Sequence, residues 1–231
     1  RAWGESVRVA FEGAARRLCI SGTPFRSDTR AIPFVRYVLD EAQSDFDYGY
    51  GEALADRRVV RPVYFPRTNG HMEWSAPDGS LHAASFDDAL DQARSSQRLR
   101  TALSLEGEWL PSVLRAAVDQ LDAVRQVQPD AGGLVIAIDQ DHARGIAALL
   151  RDRFGQQATV VTSDDPDASD RIAGFARNLD PWLVAVRMVS EGVDVPRLAV
   201  GVYATSSSTP LFFAQAIGRF VRSRRRGEVA S

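Results

Sequence analysis

The sequence contains no lysine, and all 28 of its basic residues are arginine. Such a bias is typical of GC-rich coding, so the number of arginines says little about any one site. The chain of 231 residues also carries 30 acidic residues, which gives a formal net charge of −2. Because the chain has no overall basicity, any nucleic-acid-binding surface must be local.

Cysteine and long apolar runs are also scarce. The single cysteine, Cys19, lies in an apolar run and is predicted to belong to the core. It cannot form an internal disulfide, which suits a reducing compartment, so we expect the protein in the cytoplasm. No apolar run reaches the roughly 20 residues of a transmembrane helix, and no membrane association is expected.

Two motifs that a complete P-loop ATPase needs are missing. The sequence has no GxxxxGK loop followed by Ser or Thr to surround the phosphates, and no DExH-type acidic run for magnesium. We therefore expect that the chain cannot hold Mg-ATP in a hydrolytic position by itself. His71 and His82 have no cysteine or third histidine to join them, so they are predicted to be structural, and no metal site is predicted.

Residues 132–231 alternate between apolar strands and amphipathic helices. The run GGLVIAI is continuously apolar, as expected for a strand that is buried on both faces. The alternation predicts an α/β fold in which a parallel sheet is flanked by helices. Ligands bind such sheets at the carboxyl ends of the strands. The loops at strand ends are SGTPFR, DQDHA, TSDDP, SEGVDVP and TSSSTP.

The residues before 132 follow a less regular pattern. The segment 71–85 is predicted to form a β-hairpin, because Asp78 and Gly79 supply the turn between two short strands. Further predicted elements are a helix at 3–15, a strand at 16–20, a short helix in GEALADRR, a strand in RPVYFP, and amphipathic helices within 86–105 and 107–128.

The stretch 211–226, which reads LFFAQAIGRFVRSRRR, is predicted to be a helix. Thr209 provides a hydroxyl N-cap and Pro210 suits the first helical position. At about 100° per residue, Gln215, Arg219 and Arg222 fall within roughly 60° of each other. The opposite face, predicted to be buried, consists of Phe213, Ile217 and Phe220.

The polar face of this predicted helix has two possible interpretations. Arginine offers a planar, permanently charged group that suits phosphate oxygens, so Arg219 and Arg222 could bind a phosphorylated ligand with the help of the Gln215 amide. A solvated basic face is the simpler alternative, and the pattern alone leaves both open.

The loops at the strand ends offer further candidates. Gly192 in SEGVDVP permits close backbone approach, and Asp194 could accept a hydrogen bond from a sugar hydroxyl, orient a metal-bound water or cap a helix. Thr162 and Ser163 in TSDDP suit contacts with a phosphate backbone, or Ser163 could cap a helix. His142, near the start of a helix, could touch a ligand, but a structural role is predicted for it.

The order SGTPFR, GLVIAIDQDHA, SEGVDVP and QAIGRFVR resembles the later part of superfamily 2 helicases and translocases. SGTPFR looks like motif III, SEGVDVP like motif V, and the QxxGRxxR pattern of residues 215–222 like motif VI. GLVIAIDQDHA resembles the strand that opens the second RecA-like domain. YGEALADRRVVRPV is similar to the segment that joins the two lobes in type III restriction-type members.

The resemblance implies three regions. Residues 1–45 would be a remnant of the first RecA-like lobe and linker, and residues 46–130 an inter-lobe segment with strand, hairpin and helices. Residues 131–231 would form the second RecA-like domain, the helicase C-terminal lobe, with a RecA-like parallel sheet flanked by helices. The first lobe, which would bind most of ATP and Mg²⁺, would lie outside the chain. We therefore expect a C-terminal fragment that does not hydrolyse ATP alone.

The family's functional roles carry over by position. Arg219 and Arg222 would act as arginine fingers on the transferring phosphoryl group, and Gln215 would position the phosphate or the attacking water. The partner would be DNA or RNA, contacted through its phosphate backbone, and duplex DNA is favoured. The remaining implied roles are nucleotide contact for Gly192 and Asp194, coupling of hydrolysis to lobe movement for Ser21 and Thr23, and nucleic-acid contact for Thr162, Ser163 and Ser190.

Two alternatives to a motor fragment remain open. The chain could be a non-catalytic RecA-like module that binds nucleic acid or a partner protein. A different kind of α/β nucleotide-binding enzyme is more distant, because no constellation of nucleophile and base supports it.

Overall fold

The structure, a computed structural model, describes residues 2–21, 31–39, 41–66, 68–162, 164–186, 195–207 and 209–231. A four-stranded parallel sheet with helices on both faces forms its main part. Two small antiparallel hairpins precede it. In chain order the elements are α1 (Ala2–Phe11), β1 (Arg36–Val38), β2 (Glu41–Gln43), α2 (Tyr50–Asp56), β3 (His71–Ser75), β4 (Leu81–Ser85), α3 (Gln92–Ala102), α4 (Trp109–Arg125), β5 (Gly132–Ala137), α5 (Gln140–Phe154), β6 (Ala158–Val161), α6 (Ala168–Arg177), β7 (Trp182–Val186), β8 (Leu198–Tyr203) and α7 (Pro210–Gly218).

The parallel sheet has the strand order β6-β7-β5-β8. Every residue of β5 and of β7 is buried, as expected for central strands covered on both faces. The predicted fold class, an α/β fold with a parallel sheet flanked by helices, is confirmed.

Alternate residues of β5 face two separate apolar clusters. Val135 and Ala137 pack with α4 and α5, whereas Leu134 and Ile136 pack with α6 and α7. The helix α4 packs one apolar face on the sheet, as expected of the predicted amphipathic helix, and Leu114 and Leu121 are fully buried. The structure thus packs α4, which precedes residue 130, against the sheet that follows it. The domain boundaries at residues 45 and 130 stay predictions.

The hairpin of β3 and β4 is confirmed with its predicted turn. Gly79 adopts a φ of 83°, a conformation that favours glycine over residues with a side chain. Met72 and Trp74 of β3 pack against Ala102 of α3. This small third cluster ties the hairpin to the helix that follows it.

The N-terminal region differs from the sequence predictions. Residues 16–20 form no strand, and Cys19 is exposed, so its predicted place in the core is wrong. Leu18 and Ile20 are 85% and 84% exposed. An apolar run predicts that its side chains are buried, but it does not identify the surface that they pack against. None of the described residues up to residue 50 is buried.

Candidate functional site

The helix α7 begins where the sequence predicts and ends earlier. Thr209 is the N-cap, with extended backbone angles, and Pro210 occupies the first turn. The Thr209 side chain makes no capping hydrogen bond, so the predicted hydroxyl cap is wrong. The helix ends at Gly218, and the backbone N–H of Arg219, its C-cap, donates to Ala216 O at 3.2 Å. The predicted continuation to residue 226 is therefore wrong, and the chain after Arg219 turns away into an extended segment.

Tertiary contacts explain why the helix stops. The Phe220 ring packs over Gly201 of β8, where a Cβ atom would lie 2.7 Å from the ring. Two residues further on, Arg222 forms an isolated antiparallel bridge with Val60. Of the predicted apolar stripe, Phe220 is buried, whereas Phe213 is 42% exposed and packs edge-on against Tyr203.

The three predicted polar residues are therefore placed differently. Gln215 and Arg219 lie four residues apart at the end of α7, a spacing that puts their side chains next to each other. Arg222 lies beyond the end of α7, so the prediction that it shares a helical face with Gln215 and Arg219 is wrong. Three residues of chain span at most about 11 Å, however, which keeps the Arg222 backbone close to Arg219. Gln215 and Arg219 are half-buried and Arg222 is exposed.

The segment that carries Arg222 is held by backbone pairing with residues 59–64. Arg61 N–H donates to Val221 O at 2.7 Å, and Ser223 N–H donates to Val59 O at 3.0 Å. Further along, Tyr64 N–H donates to Ala230 O at 2.7 Å. We call residues 59–64 and 220–230 together the clamp. Within the predicted strand RPVYFP the structure has one isolated bridge, Val63 to Ala230, and a second bridge, Val60 to Arg222, lies just before it.

All four arginines of residues 222–226 are exposed, but Arg224 also makes side-chain bonds within the protein. The Arg224 guanidinium bonds to the Asp130 carboxylate and to Gln128 Oε1, the latter at 3.1 Å. The hydrogen bond from Arg224 lowers the pKa of Asp130, and the positive charge adds to the effect. Arg225 and Arg226 are exposed.

Sequence reasoning gave no role to Arg61, which the structure places inside the clamp. Arg61 is only 2% exposed, and its Nε donates to Phe220 O at 2.8 Å. Its Nη2 donates to Leu198 O, and its Nη1 lies 3.5 Å from Glu228 Oε2. Burial lowers the pKa of Arg61, and the Glu228 carboxylate partly offsets this. The only signal in the sequence is a charged residue within the apolar run VVRPVYF.

At the carboxyl ends of the strands, some side chains that could contact a ligand already form hydrogen bonds within the protein. Thr162, at the end of β6, is buried, and its side chain hydrogen-bonds to Asp164, which lowers the pKa of that carboxyl. The Asp139 carboxylate caps α5 by accepting from His142 N–H at 2.8 Å. Ser163 lies outside the described residues.

His142 has the predicted structural position. Its Nδ1 accepts from Ile138 N–H at 3.2 Å, and its Nε2 donates to Leu103 O at 2.8 Å. Burial lowers the pKa of His142, although the bond to Leu103 and the charge of Asp139 oppose the shift. Both ring nitrogens are engaged inside the protein, so this side chain is not directed at a ligand.

The other candidates are spread over the molecule. Ser21 is exposed, and Thr23, Ser190, Gly192 and Asp194 lie outside the described residues. Thr162 follows β6 and α7 follows β8, and these strands form opposite edges of the sheet. Three inter-strand steps of about 4.8 Å separate them by about 14 Å. Thr162 and the start of α7 therefore lie at opposite edges of the sheet and do not form one site.

Within the described ranges, no group of three or more His, Cys, Asp and Glu side chains could hold a metal ion. No helix in that part of the chain is long and apolar enough to cross a bilayer.

No family model matches the chain. An uncharacterized protein of Mycobacterium leprae (strain TN) is 53% identical over 236 residues, which cover 100% of this chain and 39% of that protein. An uncharacterized protein of Mycobacterium tuberculosis (strain ATCC 25618 / H37Rv) is 54% identical, again over 39% of its length. The chain thus spans well under half of the curated relatives that it matches.

Solved structures of helicase domains are remotely similar to the chain. Domain 2 of the DEAD-box helicase Mss116p, bound to an RNA duplex, has 15% identity and a TM-score of 0.42, with 52% of this chain and 48% of that chain covered. The helicase domain of Pyrococcus furiosus Hef has 22% identity and a TM-score of 0.36, with 53% and 24% covered.

Proposed function

We propose that the chain is the C-terminal part of an ATP-dependent nucleic-acid motor, a helicase or translocase, in which Arg219 and Arg222 act as arginine fingers. The observation that carries this proposal is the end of α7. Two arginines in a QxxGRxxR pattern lie where a helix stops, and the backbone that carries the second is hydrogen-bonded to residues 59–61. Such fixed placement is what transition-state stabilisation needs, because the charge develops at one position.

The arginines fit the terminal phosphate of ATP better than they fit the rest of that ligand. Their permanent positive charge and planar groups match phosphate oxygens. The described residues offer no acidic cluster for Mg²⁺. ATP and Mg²⁺ would therefore be held mainly by a first RecA-like lobe outside this chain, where ATP supplies the phosphoryl group for hydrolysis.

The chain's own residues would act in four ways. Arg219 and Arg222 would bind the phosphoryl oxygens more tightly as negative charge develops, and Gln215, beside Arg219, would orient the phosphate or the attacking water. Gly192 and Asp194 would contact nucleotide, and Ser21 and Thr23 would couple hydrolysis to lobe movement.

DNA, or RNA, would contact the chain through phosphate oxygens. Ser163 and Ser190 are the stronger candidates for these contacts, because the Thr162 side chain already bonds to Asp164. Contacts of this kind position the protein without reading base sequence.

A partner for the N-terminal region follows from its exposure. None of the described residues up to 50 is buried, although Val9, Phe11, Leu18 and Ile20 are apolar and more than half exposed. Exposed apolar groups concentrated in one region mark an interaction surface. We infer that this region packs against the rest of the first lobe in the longer protein.

The test is ATP hydrolysis by the full-length protein with and without nucleic acid. We expect turnover that nucleic acid stimulates, and we expect Arg219→Ala to lower kcat by about 10³- to 10⁵-fold, as loss of an arginine finger does. Nucleic-acid binding should be largely retained. Arg226→Ala, an exposed arginine of the same run outside the motif, serves as the control and should stay within about twofold of the wild type.

Two results would contradict the proposal. Retained turnover in Arg219→Ala would remove the arginine finger. A full-length protein that binds nucleic acid in a salt-sensitive manner but never hydrolyses ATP would instead favour the non-catalytic binding module.

A further inference from the structure

The clamp contains one buried charged side chain at its centre. Arg61 belongs to residues 59–64, yet its guanidinium reaches across to the residues that follow α7. Taking an arginine out of water is costly unless its donors are satisfied. The arrangement of its partners therefore indicates what this residue holds in place.

The first partner is a carbonyl between the two proposed fingers. Arg61 Nε donates to Phe220 O at 2.8 Å, and the Arg61 backbone N–H donates to Val221 O at 2.7 Å. The side chain and the backbone of Arg61 thus donate hydrogen bonds to two consecutive carbonyl oxygens. Both lie between Arg219 and Arg222, so together they fix the direction in which each arginine leaves the backbone.

The other partners anchor Arg61 itself. Its Nη2 donates to Leu198 O at the start of β8, which ties the clamp to the sheet. Its Nη1 lies 3.5 Å from Glu228 Oε2, and that same oxygen accepts from Arg224 N–H at 2.7 Å. The Arg61 guanidinium therefore contacts Phe220, Leu198 of β8 and Glu228 at the same time.

We propose that Arg61 is a positioning residue that sets the orientation of Arg219 and Arg222 for phosphoryl transfer. This inference rests on the proposed function, since it gives Arg61 a role through the arginine fingers. Arg61 itself touches no substrate. Because it lies in the segment predicted to join two lobes, a movement of that segment would shift the fingers with it.

Arg197 provides a matched control elsewhere in the chain. It is 3% exposed, and its Nε donates to Phe175 O at 2.8 Å while its Nη2 donates to Asp180 O at 2.8 Å. Its guanidinium also stacks on the Phe175 ring at 3.8 Å. Arg197 is therefore as buried and as well bonded as Arg61. The residues that accept its hydrogen bonds, Phe175, Asp130, Asn178 and Asp180, lie outside residues 219–222.

The experiment compares Arg61→Met and Arg197→Met in the full-length protein, at a temperature where thermal unfolding shows both to be folded. Both variants should have a lowered Tm. Only Arg61→Met should lower kcat for nucleic-acid-stimulated ATP hydrolysis, by about 10- to 100-fold, because a displacement of about 1 Å at a catalytic group has effects of this size. The KM for ATP should stay within about threefold, since the proposed contact acts in the transition state.

A second measurement separates positioning from general damage. In the Arg219→Ala/Arg222→Ala background, the further change Arg61→Met should have no additional effect on kcat, because the groups that it positions are absent. Arg61→Lys, which keeps the charge opposite Glu228, replaces Arg61→Met if the latter does not fold.

The outcomes distinguish this inference from the proposed function. If the wild-type protein hydrolyses ATP and Arg219→Ala does not, but Arg61→Met keeps its kcat or falls only as much as Arg197→Met, the role of Arg61 is overturned alone. If the wild-type protein does not hydrolyse ATP, the proposed function is overturned and this inference with it.

Discussion

The buried imidazole of His142 makes the stability of the chain depend on pH. Its Nδ1 accepts a hydrogen bond, which only the neutral ring can do. Burial is the main cause that lowers its pKa in the folded state. The unfolded chain therefore binds this proton more readily, and the stabilisation is present above about pH 6.5 and declines as pH falls toward the folded pKa.

We expect His142→Gln to weaken this dependence. The wild-type chain should lose Tm between pH 7.5 and pH 5.5, and the variant should lose less, because it has no imidazole to protonate. Thermal unfolding at the two pH values measures the difference. His71→Gln, at an exposed position of β3, is the control and should lose as much as the wild type. An equal loss in His142→Gln would show that another group titrates.

Single residues differ in how far the sequence could predict them. The place of His142 in the first turn of α5 was predictable, because the sequence pattern shows a strand followed by a helix there. Arg61 was not, because its partners Phe220 and Glu228 lie 159 and 167 residues away in the chain. A charged residue in an apolar run indicates that a partner exists but does not identify it.

At the scale of elements, α7 shows where periodicity stops being informative. The helical pattern placed Gln215 and Arg219 on one side, and the helix that the structure forms keeps them so. The same pattern placed Arg222 with them, but Phe220 packs on β8 and Arg222 pairs with Val60. Local propensity is a weak prior, and these tertiary contacts override it.

Replacing glycine with alanine should have opposite effects on stability at two positions, Gly133 of β5 and Gly174 of α6. Gly133 lies beneath the buried ring of Trp182, and a Cβ atom there would come within 2.2 Å of that ring. Gly174 lies inside α6 with open space around its Cβ position. The two sites differ in the room that surrounds them.

We expect Gly133→Ala to destabilise the chain by about 1–3 kcal/mol, because the ring of Trp182 must move within a packed core. Gly174→Ala should stabilise it by about 0.5–1 kcal/mol, because alanine is the better helix former. Urea unfolding of both variants measures the free energies. Stabilisation by Gly133→Ala would show that the indole ring lies elsewhere.

At the scale of the whole molecule, regular alternation was predictable and the N-terminal region was not. The strands and helices from β5 to β8 bury their apolar faces in two shared clusters, so the given sequence contains both sides of these contacts. Residues 16–20 carry an apolar run without a described partner. The predicted strand there assumed a sheet that the described residues do not provide.

This contrast leads to a prediction that compares two lengths of chain. Leu18→Ser with Ile20→Ser should leave the stability of the 231-residue chain within about 0.5 kcal/mol, because both side chains are exposed in it. In the full-length protein, each substitution should remove about 1.5–3 kcal/mol of burial if the N-terminal region packs against the first lobe. Thermal unfolding of both proteins with and without the substitutions measures the difference. Equal and small effects in the two lengths would contradict the inferred lobe contact, while a large effect in the short chain would place these side chains inside its own fold.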